Sequence, residues 1–359
     1  MSRSKVLIPS ALVAVAAVLA GLTLASFNSG QPSNASIQNV TGISVLDNAT
    51  DYFVLQSQQD FFNTIKAGRT GEIFTKIGQA ATEIKMASIT DYNITGTDGN
   101  TIRARFYDPG VRSKPAPLLV YLYGRAGPAV SMDSSDPGLR ILANSTGFMV
   151  ATMDYRFAPF IDSLDDIIAT MRWIHQNSEQ LGVDPSRIAL GGVSRGANLA
   201  LSTASVLRDS DNIDEQNMVR VLYLLNGYYS PDLLENRSAK MFGNGMDPWF
   251  ITPRDIEVMF EQIHQNESSY YNNPLAFPIL YKSLAGLPPV YIVASGIDPL
   301  RDESIELAAR LQEEGQEHYL SVWPGVGHSA GSLVFTPVIP ETQGYLDSMA
   351  VYLRAVLNS

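Results

Sequence analysis

A serine in a glycine-containing turn is the residue whose setting most directly suggests chemistry. Ser194 lies between Gly192 and Gly196, after a short apolar run and before a pattern typical of a helix. A Gly-x-Ser-x-Gly sequence between a strand and a helix lifts the hydroxyl out of a sharp turn, and the next backbone N–H groups face any negative charge that develops beside it. The pattern predicts a nucleophile for acyl transfer, but it also fits a glycine-rich turn with an incidental serine.

A serine nucleophile needs a base within hydrogen-bond reach, and histidine is the usual one. The sequence has four histidines. His175 and His264 lie in helical patterns, and His318 precedes the last predicted strand. His328 follows that strand in a glycine-containing loop, so we expect it to be the base.

A third group must orient the base, and three carboxylates compete for this role. Asp298 follows a predicted strand, whereas Asp302 and Glu303 open the next helix, where a carboxylate is expected to interact with the helix N-terminus. Position therefore favours Asp298. Ser194, Asp298 and His328 also follow one of the chain orders known for catalytic triads.

Alternating strand and helix patterns must position these residues. From about residue 86 onward the alternation predicts βαβ units and an α/β fold, with a mostly parallel central sheet and helices on both faces. The predicted strands are Met86–Thr95, Thr101–Tyr107, Pro117–Tyr123, Phe148–Asp154, Arg187–Gly191, Val219–Leu225, Pro289–Ala294 and Tyr319–Trp323. The predicted helices are Asp162–Leu181, a helix from near Gly196, Asp302–Glu314 and Gly344–Leu357.

Composition divides the chain into segments. Residues 1–27 contain basic residues and a long apolar run, which predicts a cleaved secretion signal or an uncleaved membrane anchor. Residues 28–48 form a polar linker, and residues 49–85 have apolar residues at helical spacing that predict one or two helices. Residues 86–359 form the catalytic domain, with an aromatic-rich insertion at about 230–285 over the carboxyl edge of the sheet.

Glycosylation motifs and composition favour a secretory route. Asn-x-Ser/Thr acceptor sites predict a glycoprotein. They lie at Asn34, Asn39, Asn48, Asn93, Asn144, Asn236 and Asn266. The chain has no cysteine, and its net charge of −11 argues against a nucleic-acid partner. We expect a secreted protein that is attached to a membrane only if the N-terminal segment stays uncleaved.

Several short motifs resemble those of the hormone-sensitive-lipase-like branch of the α/β-hydrolases, the carboxylesterase and arylesterase group. They are Asp154-Tyr-Arg156-Phe-Ala-Pro159, Asp165-Asp166 with Trp173, Leu181-Gly-Val-Asp-Pro-Ser-Arg187, Gly192-Val-Ser194-Arg-Gly196, Leu287-Pro-Pro-Val-Tyr and Asp298-Pro-Leu-Arg-Asp302-Glu. They follow the family order over roughly residues 85–359. The resemblance implies the α/β-hydrolase fold and ester hydrolysis through Ser194, Asp298 and His328. It also implies a helical cap built from the N-terminal segment and the insertion.

The expected oxyanion loop departs from the family pattern. Where the family carries His-Gly-Gly-Gly, this chain has Tyr-Gly-Arg-Ala-Gly from residue 123 onward. The resemblance implies that the backbone N–H groups of Arg125, Ala126 and Arg195 form the oxyanion hole. If the loop is remodelled, the phenol of Tyr123 is an alternative donor. The two arginines place positive charge near Ser194, which either favours an acidic substrate or only faces solvent.

Two other motifs have a structural interpretation. Arg156 is expected to pair with Asp165 or Asp166 and so to hold a strand to a helix. Trp173, on the same predicted helix, is expected to pack in the core. We assign none of these residues a catalytic role.

Taken together, the motifs predict a serine hydrolase that cleaves small-molecule carboxylic esters through an acyl-enzyme, without a metal or cofactor. The alternative is a hydrolase-fold protein whose altered oxyanion loop serves ligand binding or a non-hydrolytic reaction.

Overall fold

An eight-stranded sheet organises the protein in its computed structural model. The structure describes residues 53–111, 115–125, 130–243, 252–265 and 268–359, without the side chain of Asp255. The predicted signal or anchor and the polar linker lie outside these residues. Among the described residues, none of the helices combines the length and the apolar character needed to span a bilayer.

The strands of the sheet are β1 (Ser88–Thr95), β2 (Thr101–Asp108), β3 (Ala116–Leu122), β4 (Met149–Met153), β5 (Val183–Val193), β6 (Val221–Leu225), β7 (Val290–Ser295) and β8 (His318–Trp323). Their spatial order is β1-β2-β4-β3-β5-β6-β7-β8. Strands β3 to β8 run parallel to one another, whereas β2 is antiparallel to both β1 and β4. The predicted α/β fold with a mostly parallel sheet is confirmed.

Helices connect these strands. They are α1 (Gln56–Lys66), α2 (Thr70–Glu83), α3 (Met132–Thr146), α4 (Phe160–Gln176), α5 (Ser178–Leu181), α6 (Arg195–Arg208), α7 (Ile213–Gln216), α8 (Arg237–Phe242), α9 (Pro253–Ile263), α10 (Arg301–Glu313) and α11 (Glu341–Leu357). Short 3₁₀ helices occupy Leu233–Glu235, Ser268–Asn272, Pro278–Leu280 and His328–Ser332. Two helices, α1 and α2, lie in the N-terminal segment for which one or two were predicted.

Burial on both faces explains why the central strands are predicted so well from the sequence. Every residue of β3, β4, β6 and β7 is buried, as expected for strands covered on both faces. By contrast, β1 is mostly exposed at the edge of the sheet. The parallel order brings the carboxyl ends of β5, β7 and β8 to one edge, which is where the three predicted triad residues follow their strands.

Helix α3 has no counterpart in the sequence-based prediction. Pro137 and Gly138 interrupt its helical pattern. It forms nevertheless, with a capping box between Ser131 and Ser134 and a left-handed Gly147 at its end. Burial of its apolar side chains, such as Leu142, outweighs the unfavourable local propensity.

Candidate active site

Ser194 occupies a strained turn between β5 and α6. Its backbone angles, φ +56° and ψ −122°, lie in a region that residues with a side chain rarely adopt. Such strain costs about 1–3 kcal/mol and persists only where the surrounding structure imposes it. The backbone N–H of Ser194 donates to the carbonyl of Leu225 at 2.8 Å, and its side chain is 9% exposed.

Close packing against β3 imposes this turn. A Cβ atom at Gly192 would lie 2.1 Å from the carbonyl oxygen of Leu122, and one at Gly196 would lie 1.9 Å from the same oxygen. Non-bonded heavy atoms do not approach so closely, so both flanking positions require glycine. The Gly-x-Ser-x-Gly spacing therefore reflects a backbone contact, and an incidental serine in a merely flexible turn does not account for it.

Asp298 and His328 meet at the carboxyl edge of the sheet. Asp298 Oδ2 lies 2.7 Å from His328 Nδ1, and both side chains are buried. Asp298 Oδ1 accepts a hydrogen bond from the N–H of Leu300 at 2.8 Å, which orients the carboxylate. With Nδ1 directed at the carboxylate, Nε2 is the ring nitrogen that would act as the base.

Asn226 ties the His328 turn to the strand ends beside Ser194. It follows β6 with φ +48°, and its Nδ2 donates to Ser295 Oγ at 2.9 Å and to the carbonyl of His328 at 3.3 Å. Gly331, in the same turn, packs so closely that a Cβ there would lie 2.5 Å from Asn226 Nδ2 and 3.2 Å from Val193 Cγ2. The turn that carries His328 is thus seated against the strand that leads to Ser194.

The N-terminal helix α1 supports the same turn from another side. The side chain of Gln58 is completely buried, and its Oε1 accepts the N–H of Gly327 at 3.0 Å. The N–H of Leu55 donates to the carbonyl of Gly325 at 2.9 Å. Gln58 is not among the residues predicted from the sequence, although a signal is present: it is a polar residue on the helix face shared with Leu55, Phe61 and Phe62.

The loop after β3 lies directly beside the nucleophile. A Cβ at Gly124 would lie 3.1 Å from Ser194 Cβ and 2.9 Å from the carbonyl oxygen of Val193. The expectation that the Tyr123 phenol could serve the oxyanion hole is wrong, because its O–H donates to Asp154 Oδ1 at 3.0 Å. Ala126 lies outside the described residues, so its part in the hole stays a prediction.

Both arginines near Ser194 are buried, so the interpretation that they only face solvent is wrong. Arg125 is 9% exposed and Arg195 is fully buried. Arg125 donates from Nη1 to the carbonyl of Tyr155 at 2.7 Å, with its guanidinium 5.3 Å from the ring centre of Phe157. The guanidinium of Arg195 lies 4.8 Å from the same ring. The backbone N–H of Arg195 belongs to the first turn of α6, where N–H groups lack intrahelical acceptors.

The two carboxylates that competed with Asp298 hold other parts of the chain. Asp302 Oδ2 accepts the N–H of Ser238 at 2.8 Å, at the start of α8. Glu303 accepts hydrogen bonds from the N–H groups of Tyr229 at 2.6 Å and Ser230 at 2.8 Å, and from Asn236 Nδ2 at 2.6 Å. Both carboxylates thus connect the start of α10 to the inserted segment.

The aspartate and tryptophan motifs have structural contacts. Arg156 binds Asp166, with Nη2 2.8 Å from Oδ1, and its Nη1 reaches Asp162 and Asp98. Asp166, not Asp165, is thus the partner that the sequence left open. Trp173 packs against Tyr92 and Phe106, at ring-centre distances of 5.2 and 6.4 Å.

The predicted glycosylation sites differ in their surroundings. Asn93 and Asn144 are exposed. Asn236 is half-buried, and its Nδ2, the atom that would carry a glycan, donates a hydrogen bond to Glu303. Asn34, Asn39, Asn48 and Asn266 lie outside the described residues. Use of these sites stays a prediction.

No set of three or more potential ligand side chains that could hold a metal occurs among the described residues. The described polar groups near Ser194 are instead a histidine, a carboxylate, two guanidinium groups and backbone amides. This arrangement matches acyl transfer to a serine hydroxyl, which requires a base, an orienting acid and donors for an oxyanion.

Comparisons with known proteins agree with this chemistry. The profile of a family described by the α/β-hydrolase fold matches residues 119–331. The carboxylic ester hydrolase LipN of Mycobacterium tuberculosis is 32% identical over 63% of this chain, and the match spans 60% of LipN, less than two thirds of its length. The carboxylesterase NlhH of the same organism is 30% identical, with 68% of this chain and 76% of NlhH covered.

Solved structures give the same picture for the fold. An esterase structure from Pyrobaculum calidifontis superimposes with a TM-score of 0.72 at 26% sequence identity. The superposition covers 84% of this chain and 98% of that esterase. The likeness therefore extends over nearly the whole of a protein with esterase in its name.

Glu303 predicts a pH-dependent stability. Burial raises the pKa of Glu303 from 4.5 to about 7, although three hydrogen-bond donors oppose the shift. Between these two values the folded protein retains a proton that the unfolded chain releases, so stability contributed by Glu303 is complete at low pH and is lost as pH rises toward 7. We expect the free energy of unfolding of Glu303→Gln to rise by about 2–3 kcal/mol relative to that of the wild type as the pH is raised from about 5 to about 8.

Denaturant unfolding across this pH range measures the difference. The amide of Asn236 can flip to accept from the new Gln nitrogen, so the variant keeps its contacts. Glu313→Gln, an exposed position on the same helix, is the control and should show no such trend. A difference between Glu303→Gln and wild type that stays constant with pH would contradict a raised pKa.

Proposed function

The chain belongs to the α/β-hydrolase family, in its hormone-sensitive-lipase-like branch, and we propose on this basis that it is a secreted serine esterase that forms an acyl-enzyme on Ser194. The observation that carries the proposal is the contact between Asp298 and His328, at the same sheet edge as a serine with strained backbone angles. A glycine-rich turn without catalytic function would not require an oriented, buried histidine beside it.

In the proposed reaction the hydroxyl of Ser194 attacks the ester carbonyl carbon. His328 Nε2 accepts the serine proton, and the carboxylate of Asp298 stabilises the resulting imidazolium through Nδ1. The imidazolium then returns the proton to the alkoxide that leaves as the alcohol. A water molecule activated by the same histidine hydrolyses the acyl-enzyme and restores the serine.

The negative charge on the carbonyl oxygen requires donors on the side of the loop after β3. We assign this role to the backbone N–H of Arg195, at the first turn of α6, and to backbone N–H groups of Arg125 and Ala126. Gly124 supports the assignment, because a Cβ there would lie only 3.1 Å from Ser194 Cβ, which puts the loop beside the nucleophile. Each donor of this kind typically contributes about 10²–10³ in rate.

Secretion is a separate part of the proposal. Its support is the apolar N-terminal run followed by a polar segment, together with the acceptor sequences for glycosylation.

The proposed substrate class, carboxylic esters, is also supported by relatives named as carboxylic ester hydrolase and carboxylesterase.

The purified protein is expected to hydrolyse short p-nitrophenyl esters and to be labelled covalently by an organophosphonate at Ser194. Release of p-nitrophenol and mass spectrometry of the labelled peptide measure the two effects. Ser194→Ala is the control and should show neither. A folded wild-type sample without turnover or labelling would favour a hydrolase fold used for binding or for a non-hydrolytic reaction.

Substitutions of two neighbouring aspartates test the assignment of the triad acid. Asp298→Asn should keep the fold and lose about 10⁴ in kcat, because an amide cannot hold His328 in the required tautomer and stabilise its charge. Asp302→Asn should change kcat little and cost on the order of 1 kcal/mol in stability, since Asp302 contacts Arg301 and Ser238. The measurements are kcat and Tm for both variants. An active Asp298→Asn together with a folded but inactive Asp302→Asn would identify Asp302 as the triad acid.

Expression in a eukaryotic secretory host tests the route. The mature protein is expected in the medium, to begin near Ser26, and to lose mass on endoglycosidase treatment. N-terminal sequencing and mass spectrometry give the answer. Recovery only in the membrane fraction with an intact N-terminus would establish an anchor instead.

A further inference from the structure

A buried arginine beside the nucleophile has unused hydrogen-bonding capacity. Arg195 Nη2 donates to Ser163 Oγ at 2.8 Å, whereas Nε and Nη1 are buried without a partner. Among the described residues no carboxylate forms an ion pair with this guanidinium. Buried guanidinium groups are normally paired and hydrogen-bonded, so the arrangement leaves both a charge and two donors uncompensated.

The surroundings do not neutralise this charge. Burial lowers the pKa of the Arg195 guanidinium, but arginine remains protonated in proteins. Arg125 adds a second positive charge beside the same Phe157 ring. Among the described residues, the contacts of the Arg195 guanidinium are thus the hydroxyl of Ser163 and the face of the Phe157 ring, neither of which carries a negative charge.

A neutral histidine lines the same region. His264, at the end of α9 in the inserted segment, is 2% exposed, and neither ring nitrogen has a hydrogen-bond partner. Burial and, to a smaller extent, the nearby charge of Arg195 lower the pKa of His264 to about 4, so the ring is neutral near pH 7. It packs among aromatic rings, with centres at 4.8 Å for Tyr270 and 5.5 Å for Phe277.

Arg195 follows Ser194 directly in the chain, and its guanidinium lies against Ser163 Oγ and the ring of Phe157. Because its backbone adjoins that of the nucleophile, its unused N–H groups are candidates to contact an ester bound at Ser194. A carboxylate is the ligand that fits: it accepts two parallel hydrogen bonds from a guanidinium and carries the missing negative charge.

We propose that Arg195 binds a carboxylate of the substrate, so that the enzyme prefers acidic esters. The inference rests on the proposed esterase function and specifies its substrate class. The carboxylate belongs either to the acyl part, as in a half-ester of a dicarboxylic acid, or to the alcohol part. Aromatic walls around His264 would contact the apolar remainder of such a substrate.

Matched pairs of esters test the preference. Monoethyl glutarate and ethyl valerate have acyl chains of equal length and differ in a terminal carboxylate. The alcohol arm compares 4-carboxyphenyl butyrate with 4-carbamoylphenyl butyrate. We expect the acidic member of at least one pair to have a kcat/KM about tenfold to a hundredfold higher, and the arm that shows it identifies the source of the carboxylate.

The variants are compared by the ratio of kcat/KM for the two members of a pair. Arg195 also supplies a backbone N–H to the expected oxyanion hole, and the ratio cancels changes that affect both esters alike. Arg195→Met should bring the ratio to about one, whereas Arg195→Lys should retain part of it, because lysine keeps the charge without the planar fork. Arg172→Met removes the same charge from a partly exposed site paired with Glu215 and should leave the ratio unchanged.

Binding without turnover separates this inference from the esterase function. Calorimetry with the Ser194→Ala protein should detect glutarate, with Kd at least about tenfold weaker when Arg195→Met is added. Hydrolysis of neutral esters with no acidic preference and no Arg195-dependent glutarate binding would overturn the inference and leave the esterase function intact. Glutarate binding that depends on Arg195, without hydrolysis of any ester, would support the carboxylate site and overturn the esterase function.

Discussion

The approach of the Leu122 carbonyl to the turn around Ser194 is the constraint on which the rest of the site depends. Both flanking glycines exist because a Cβ would collide with that oxygen. With the turn held so tightly, Ser194 keeps a backbone conformation that it would not adopt alone. Helix α6 begins at Arg195, directly after this turn, so its first amides lie at the carboxyl end of β5.

The acid and the base depend on residues that are remote in sequence. Because Asp298 and His328 are buried, the polar groups of their loops also need partners within the protein. Gln58 supplies one from the N-terminal helix, and Asn226 supplies another from the end of β6. Glu303 joins the segment after Asp298 to the loop at Tyr229 and Ser230. The inserted segment and α1 thus contribute to the geometry of the site.

Two arginines, the partly exposed Arg156 and the fully buried Arg195, show how the environment decides the role of one residue type. Arg156 is surrounded by carboxylates, and its contact with the buried Asp166 holds a strand end to α4. Arg195 has Ser163 and an aromatic face instead, and two of its nitrogens have no partner. Burial of a paired charge contributes to structure, whereas burial of an unpaired charge beside a nucleophile favours a ligand of opposite sign.

The sequence by itself determined the strand and helix alternation, the turn at Ser194, and the order in which Asp298 and His328 follow it. These features depend on hydrophobic periodicity and turn chemistry, which are properties of short segments. Helix α3 is not predicted from the sequence, because Pro137 and Gly138 interrupt its helical pattern. Burial of its apolar side chains stabilises the helix despite this unfavourable local sequence.

Only the tertiary structure decided the partners of the polar side chains. In the folded protein the Tyr123 phenol donates to Asp154, and Gln58 accepts from Gly327, 269 positions away in the sequence. Arg195 is buried with two nitrogens that have no hydrogen-bond partner. Such contacts depend on which distant segments the sheet brings together. The spacing of residues along the chain does not indicate which polar groups will meet in the folded protein.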